Sequence, residues 1–389
     1  MPKITHALKK TFRRYLWRPV REDLARKMVF VGGPRQVGKT TFALGFLKTS
    51  PKDETHPAYL NWDLTDHRER ILGGELPPNQ RIVLLDEIHK FSGWRSLVKG
   101  FYDTHKSRVS ILVTGSARLD YYRKGGDSLQ GRYHYYRLHP FSLRELDTQG
   151  RAQTVSLLLK FGGFPEPLFS ASERVRLRWQ KERLERVLYD DLRDLERVQE
   201  VSMIELLLHH LPRCIGSPLS VGKLGNVLGV AHETVTRWLT ILERLYVCFR
   251  VSPYGSARIR AVKKEQKLYF WDWSQSPEGG PRFENMVASQ LLKYCHWKED
   301  SEGWRMELRY LRDTDKREVD FVVLRNGTAE FAVECKTGER GVSSAASYFK
   351  ARTGIPEFYQ THLGSKDFIG EGRVRVLPFG RFCLEKGMP

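Results

Sequence analysis

The chain has 389 residues, more than one typical domain, and 40% of them are apolar and 12% aromatic, which supplies packed cores and excludes a disordered polymer. Cys214, Cys248, Cys295, Cys335 and Cys383 are an odd number with no C-x-x-C spacing, which excludes a disulfide framework and a zinc module. The 65 Lys and Arg against 46 Asp and Glu give a net charge of +19, and a surface this basic predicts a polyanionic partner, because phosphate backbones release counterions to it.

Residues 1–27 read as a basic helical lead-in with no apolar secretory stretch. No apolar run in the chain approaches the roughly 20 residues of a membrane span. The expected compartment is the cytoplasm, with no membrane partner.

The apolar run Met28-Val29-Phe30-Val31 predicts a buried strand. It leads directly into Gly33-Pro34-Arg35-Gln36-Val37-Gly38-Lys39-Thr40, which fits G-x-x-x-x-G-K-[ST] at every fixed position. The strand before it and the helix that Lys39, Thr40 and Thr41 open give this phosphate-binding loop its required context. Its glycines let backbone N–H groups point inward at a phosphate chain. Lys39 would neutralise phosphate charge, and the Thr40 hydroxyl would be a ligand of Mg²⁺.

Further on, Arg81-Ile82-Val83-Leu84-Leu85-Asp86-Glu87 is an apolar run ending in two acids. That is the pattern of a central parallel strand whose carboxyl end lies at a ligand. Asp86 would hold Mg²⁺ through water, and Glu87 would orient and polarise the attacking water. The strand Ser110-Ile111-Leu112-Val113-Thr114 stops at Gly115-Ser116-Ala117-Arg118. If it lies between the other two, Thr114 or Ser116 falls beside the terminal phosphate. Arg132, and after it Arg118, are candidates for an arginine that acts on a neighbouring subunit's nucleotide; a salt-bridged surface role is the alternative for each.

These motifs carry a resemblance. GGPRQVGKTT, LLDEIHKFSGW, TGSARLD, SLQGRYHYYRLHPFSLREL and FGGFPEPLF, continued by EVDFVV and VECKTGE, resemble prokaryotic AAA+ ATPases that bear a C-terminal domain of uncharacterised function. The resemblance spans nearly the whole chain. It implies ATP binding and hydrolysis with Mg²⁺ on an α/β P-loop NTPase parallel-sheet core over 28–148. A helical lid and connector over 149–200 and a winged-helix-like segment over 201–264 would follow. The last region, 265–389, would be an α/β restriction-endonuclease-like domain. A homo-oligomer, with a ring as one form, is what AAA+ relatives imply.

Between Glu173 and Glu200 the apolar residues recur at helical spacing, which predicts one long amphipathic helix whose charges form a solvated face. Leu219 to Leu239 has the grammar of two short helices with a glycine turn between them. The second would present His232, Thr234, Thr236 and Arg237 to phosphates or base edges, and Arg258, Arg260, Lys263 and Lys264 would load a following wing. Packing between domains or subunits is the competing use of such a unit.

Leu268 to Asp272 predicts a strand, and Phe283 to Leu292 a helix with Glu284 in its first turn. Glu318 to Lys336 spells a hairpin: a strand with Asp320, an Asn326-Gly327 turn, and a strand ending in Glu334-Cys335-Lys336. Glu334 and Lys336 are two residues apart and share a face. Together with Glu284 and Asp320 they resemble the metal-binding set of PD-(D/E)xK nucleases. A Glu334–Lys336 salt bridge on the sheet would give the same pattern. The favoured reading is an ATPase acting on duplex or branched DNA. The alternatives are an ATP-gated regulatory or defence switch with a protein partner, and an ATP-regulated metal-dependent nuclease.

Overall fold

A computed structural model describes residues 13–47, 53–115, 119, 129–191, 201–255 and 265–389. The expected site residues Ser116, Arg118, Arg258, Arg260, Lys263 and Lys264 lie outside the described residues. The chain divides into two compact units, one ending at Pro140 and the other running from Phe141 to Pro389.

The first unit contains α1 (Trp17–Leu24), β1 (Met28–Gly32), α2 (Lys39–Leu44), β2 (Tyr59–Asn61), α3 (Thr65–Leu72), β3 (Ile82–Asp86), α4 (Trp94–His105), β4 (Ser110–Thr114) and β5 (Tyr133–Arg137). Its five strands form one parallel sheet in the order β2-β3-β4-β1-β5. All five residues of β1, and the last four of β3 and of β4, are buried. Strands covered on both faces have no polar side to alternate with, which is why these read as continuous apolar runs. Phe30, Leu85, Val98, Phe101 and Val113 belong to one core cluster. Leu16, which caps α1, and Val20 and Leu24 on it recur every four residues and are all buried, the period of a helix face. Trp17 stacks on Phe46 and meets Phe42 edge-on, so the lead-in helix packs on the element that carries Lys39 and Thr40.

The second unit begins with α5 (Leu143–Leu146), α6 (Ala152–Phe161), α7 (Pro165–Ser170), α8 (Glu173–Arg186), α9 (Val201–His210), α10 (Val221–Leu228) and α11 (His232–Arg244). It continues through β6 (Cys248–Pro253), β7 (Lys267–Phe270), α12 (Gly280–Glu302), β8 (Met306–Arg312), β9 (Glu318–Arg325), β10 (Thr328–Lys336), α13 (Ser344–Arg352), β11 (Glu357–His362), β12 (Phe368–Ile369), β13 (Arg375–Pro378) and α14 (Phe379–Glu385). The strands form an eight-stranded mixed sheet, β12-β13-β11-β10-β9-β8-β6-β7.

Three features of the architecture go beyond the sequence reading. The first compact unit stops at Pro140. The segment beyond is tied elsewhere: Ser142 caps α5 in a box with Glu145, and Glu145 forms a buried ion pair with Lys293 of α12. A boundary at 264/265 would cut the antiparallel pair β6–β7, and β6 also pairs with β8. The charges of α8 are not all on a solvated face. Arg183 is 1% exposed, lies over the rings of Phe164 and Trp179 and donates to the Tyr246 carbonyl. Its regular helix ends at Arg186 and passes into a π-turn over Val187–Asp191.

The predicted hairpin forms as β9 and β10. Asn326 and Gly327 both take positive φ, +51° and +81°, as a two-residue primed turn requires.

Candidate nucleotide and carboxylate sites

The carboxyl ends of β1, β3 and β4 converge, since Thr114 registers with Val31 on one side and Asp86 on the other. The phosphate-binding loop leaves β1 there. Gly33 has φ +137°, and a Cβ on it would lie 2.4 Å from the Leu138 carbonyl oxygen; no side chain fits. Gln36 and Gly38 turn the chain again at φ +61° and +94°. Lys39 is buried and its ammonium donates to the carbonyls of Gly33 and Pro34, at 3.1 and 2.8 Å. The lysine therefore lies across the loop it serves.

Asp86 is 4% exposed and accepts from three hydroxyls. Thr40 and Tyr59 donate to Oδ2 at 2.7 and 3.0 Å, and Thr114 donates to Oδ1 at 2.5 Å. Burial raises its pKa, and the three hydrogen bonds work against that rise. Burial, and after it the charge of Asp86 and the hydrogen bond to it, push the Tyr59 phenol well up. The expected pair Thr40 and Asp86 is thus brought together, with Thr114 beside it. Glu87 follows in the left-handed region at φ +55°. This turns its side chain out of the strand path to within 3.6 Å of His89 and 3.7 Å of Lys90.

Two supports lay outside the sequence reading. The Arg14 guanidinium is buried and donates to the Val37 carbonyl, at 2.9 Å, and to that of His139. Tyr59 reaches Asp86 from β2. Neither belongs to a short motif, and only the folded sheet brings them in. Thr41 is exposed. The Oε1 atom of Gln36 is a buried acceptor with no hydrogen-bond partner, a polar end left for a ligand or water.

The residues fit a nucleotide with a hard divalent cation. The Gly33 cradle excludes a side chain, and Thr40 and Asp86 offer the oxygen ligands such a cation takes. Arg132 is placed differently. It precedes β5 at the edge of the sheet where Met28 begins β1, about 16 Å of strand from the loop. There it forms a two-pronged pair with Asp103, at 3.0 and 3.3 Å.

In the second unit α10 and α11 make the expected helix pair. Gly229 ends α10 at φ +67°, and a Cβ on Gly225 would lie 2.8 Å from the Val230 carbonyl oxygen, so the turn folds tightly on α10. Val235, Trp238 and Leu239 are buried, whereas His232 and Arg237 are exposed and Thr234 is half-buried. Thr236 differs from expectation, because its hydroxyl donates to the His232 carbonyl, 2.9 Å away on its own helix.

The C-terminal carboxylates are organised around a residue absent from the predicted set. Lys267 is 0% exposed, and its ammonium lies 2.5 Å from Glu318, 3.1 Å from Glu284 and 3.6 Å from Asp320. Glu284 also accepts from the Tyr269 hydroxyl at 2.7 Å, and it sits in the second turn of α12 because that helix begins at Gly280. Asp320 accepts from the Cys335 N–H at 2.8 Å, and Lys336 donates to Glu334 at 2.5 Å. Burial and then Asp320 push Glu284 up to about 7 and Glu334 up to about 8. Among the described residues no three His, Cys, Asp or Glu side chains form a group able to hold a metal ion. Also among them, no helix is long and apolar enough to cross a membrane.

Residues 25–147 match the family model of an AAA domain. Residues 152–274 and 279–382 match the models of two domains of unknown function, DUF8612 and DUF4143. The uncharacterized protein MJ1637 of Methanocaldococcus jannaschii is 24% identical, covering 93% of this chain and 86% of its own. MJ1544 of the same organism is 24% identical over 69% of this chain and 67% of its own. Among solved structures, the Walker-type ATPase PABY2304 of Pyrococcus abyssi aligns at TM-score 0.39 and 14% identity, covering 68% of this chain and 96% of that one. The Aeropyrum pernix ORC1 protein, solved in complex with DNA, aligns at TM-score 0.33 and 14% identity over 69% and 93%. At these scores the structural likenesses say nothing of function.

Proposed function

With residues 25–147 matching the family model of an AAA domain, we propose that the chain hydrolyses ATP with Mg²⁺ and couples the cycle to DNA, working as a homo-oligomer. The observation that carries the ATPase half is the Thr40–Asp86 hydrogen bond of 2.7 Å. It sets a loop hydroxyl and a strand-end carboxylate side by side, with Thr114 fixing the other carboxylate oxygen.

A divalent cation held by Thr40 and Asp86 would supply charge neutralisation for the phosphate chain. The protein's own groups have separate tasks. Lys39 exchanges its loop carbonyls for phosphate oxygens, and the loop N–H groups bind and orient the chain. Glu87 orients a water, with His89 and Lys90 holding its carboxylate in place. Arg14 keeps the Val37 carbonyl, and with it the loop, in register.

For the DNA half, support comes from the net charge of +19 and from α11, whose His232 and Arg237 face outward from a buried apolar stripe. Phosphate contacts of this kind give affinity that falls steeply with salt. Anisotropy of labelled duplex and four-way branched DNA, titrated at several salt concentrations, tests this. The expected result is salt-dependent binding whose log–log slope is lowered by about one in Arg237→Ala. Absence of binding at low salt would leave a protein-partnered ATP switch as the reading.

A further inference from the structure

Four carboxylates of the C-terminal unit, Glu284, Glu318, Asp320 and Glu334, come from a helix and two strands, and the resemblance of Glu284, Asp320 and Glu334, with Lys336, to a nuclease metal set makes a divalent cation the expected occupant. Most of their oxygens are already engaged. On Glu318, one oxygen meets Lys267 and the other meets Arg312 at 2.6 Å. On Asp320, one faces Lys267 and the other takes the Cys335 N–H. One oxygen of Glu284 serves both Tyr269 and Lys267. The other packs on Gly216, where φ is +75° and a Cβ would lie 2.8 Å from it. Only Oε2 of Glu334 is buried without a hydrogen-bond partner.

A hard dication needs several oxygen ligands in its own shell. Here it would find two oxygens that accept no hydrogen bond, Oε2 of Glu284 and Oε2 of Glu334, and two ammonium groups, those of Lys267 and Lys336, close by. Against the four carboxylates stand three cations, Lys267, Lys336 and Arg312, which already balance most of the charge. Lys267 is also fixed from behind. It opens β7, lies opposite Val251 in the β6 ladder, is bridged by Pro218, and sits 5.5 Å from the centre of the Tyr310 ring.

We propose that the ammonium of Lys267 is the resident cation of this carboxylate set. The set joins β7 to α12 and β9 as an internal lock, and it neither binds a divalent metal nor hydrolyses phosphodiesters in the native protein. This inference stands apart from the DNA reading, since a chain that holds DNA and one that does not would carry the same lock.

The test is Mn²⁺ titration of the nucleotide-free full chain, followed by the electron paramagnetic resonance of free Mn²⁺. In the wild type, the isotherm is expected to be the same as in Asp320→Asn and in Glu334→Gln. Lys267→Met removes the charge and keeps the apolar stem, and is expected to gain one Mn²⁺ per chain, bound at least about tenfold more tightly than any site of the wild type. Mn²⁺ held by the phosphate-binding loop is recognised by its loss in Thr40→Ala. A wild-type site of one Mn²⁺ per chain, weakened about tenfold or more by Asp320→Asn or by Glu334→Gln, overturns the proposal. If Lys267→Met does not fold, the wild type against those two variants decides alone.

Discussion

The two carboxylate sites of this chain differ in the charge of their partners. Asp86 is ringed by the neutral hydroxyls of Thr40, Tyr59 and Thr114, whereas Glu284, Glu318 and Asp320 surround the ammonium of Lys267. Hydroxyls satisfy a carboxylate's lone pairs but leave its charge uncompensated, so a cation is still favoured beside Asp86. An ammonium compensates the charge directly. Acids at strand ends are common to both sites, and the partner decides whether a site recruits a cation or already contains one.

That contrast is broken most severely at Lys267. Lys267→Met strands three carboxylates in a part-buried site, and a loss of about 3 to 5 kcal/mol is expected in denaturant unfolding monitored by Trp fluorescence. Asp86→Asn should do the opposite to stability, leaving the melting temperature unchanged or higher because a desolvated charge is removed, while ATP turnover collapses. A destabilised Asp86→Asn would mean that its charge is already balanced. Lys39→Ala is expected to lower turnover about 100-fold or more, measured by phosphate release.

The pH dependence sharpens the same contrast. Glu284 and Glu334 have native pKa values of about 7 and about 8, above the ordinary 4.5. Between 4.5 and 8 the native state therefore binds more protons than the unfolded state, and stability falls as pH rises through that window. The melting temperature should be lower at pH 8.5 than at pH 5.5, and Glu334→Gln should flatten the slope. Thr114→Val is the smallest change. It removes one hydroxyl from Asp86 and should cost about 1 kcal/mol of stability, read by thermal unfolding, with a severalfold loss of turnover.

The nucleotide site was legible because its chemistry is local: Gly33 to Thr40 is one loop, and Asp86 ends an apolar run. The β9–β10 hairpin was legible for the same reason, with Asn326-Gly327 between two patterned strands. Lys267 was not. It closes a basic stretch, Lys263-Lys264-Glu265-Gln266-Lys267, that reads as a solvated wing, and only the pairing of β7 with β6 turns its side chain inward. Its place as the first residue of the apolar run Leu268-Tyr269-Phe270-Trp271 was the available signal. Arg14, Tyr59 and Arg183 were hidden likewise, since each acts on a residue more than twenty positions away, where spacing carries no information.

The central claim is that ATP turnover at Lys39, Asp86 and Glu87 is coupled to DNA. Steady-state ATP hydrolysis at low salt, with and without duplex and branched DNA, tests it most directly. The account predicts turnover that DNA stimulates, that falls back to the basal rate as salt rises, and that Lys39→Ala abolishes in either condition. Robust turnover in the wild type that no DNA changes at any salt concentration would contradict it.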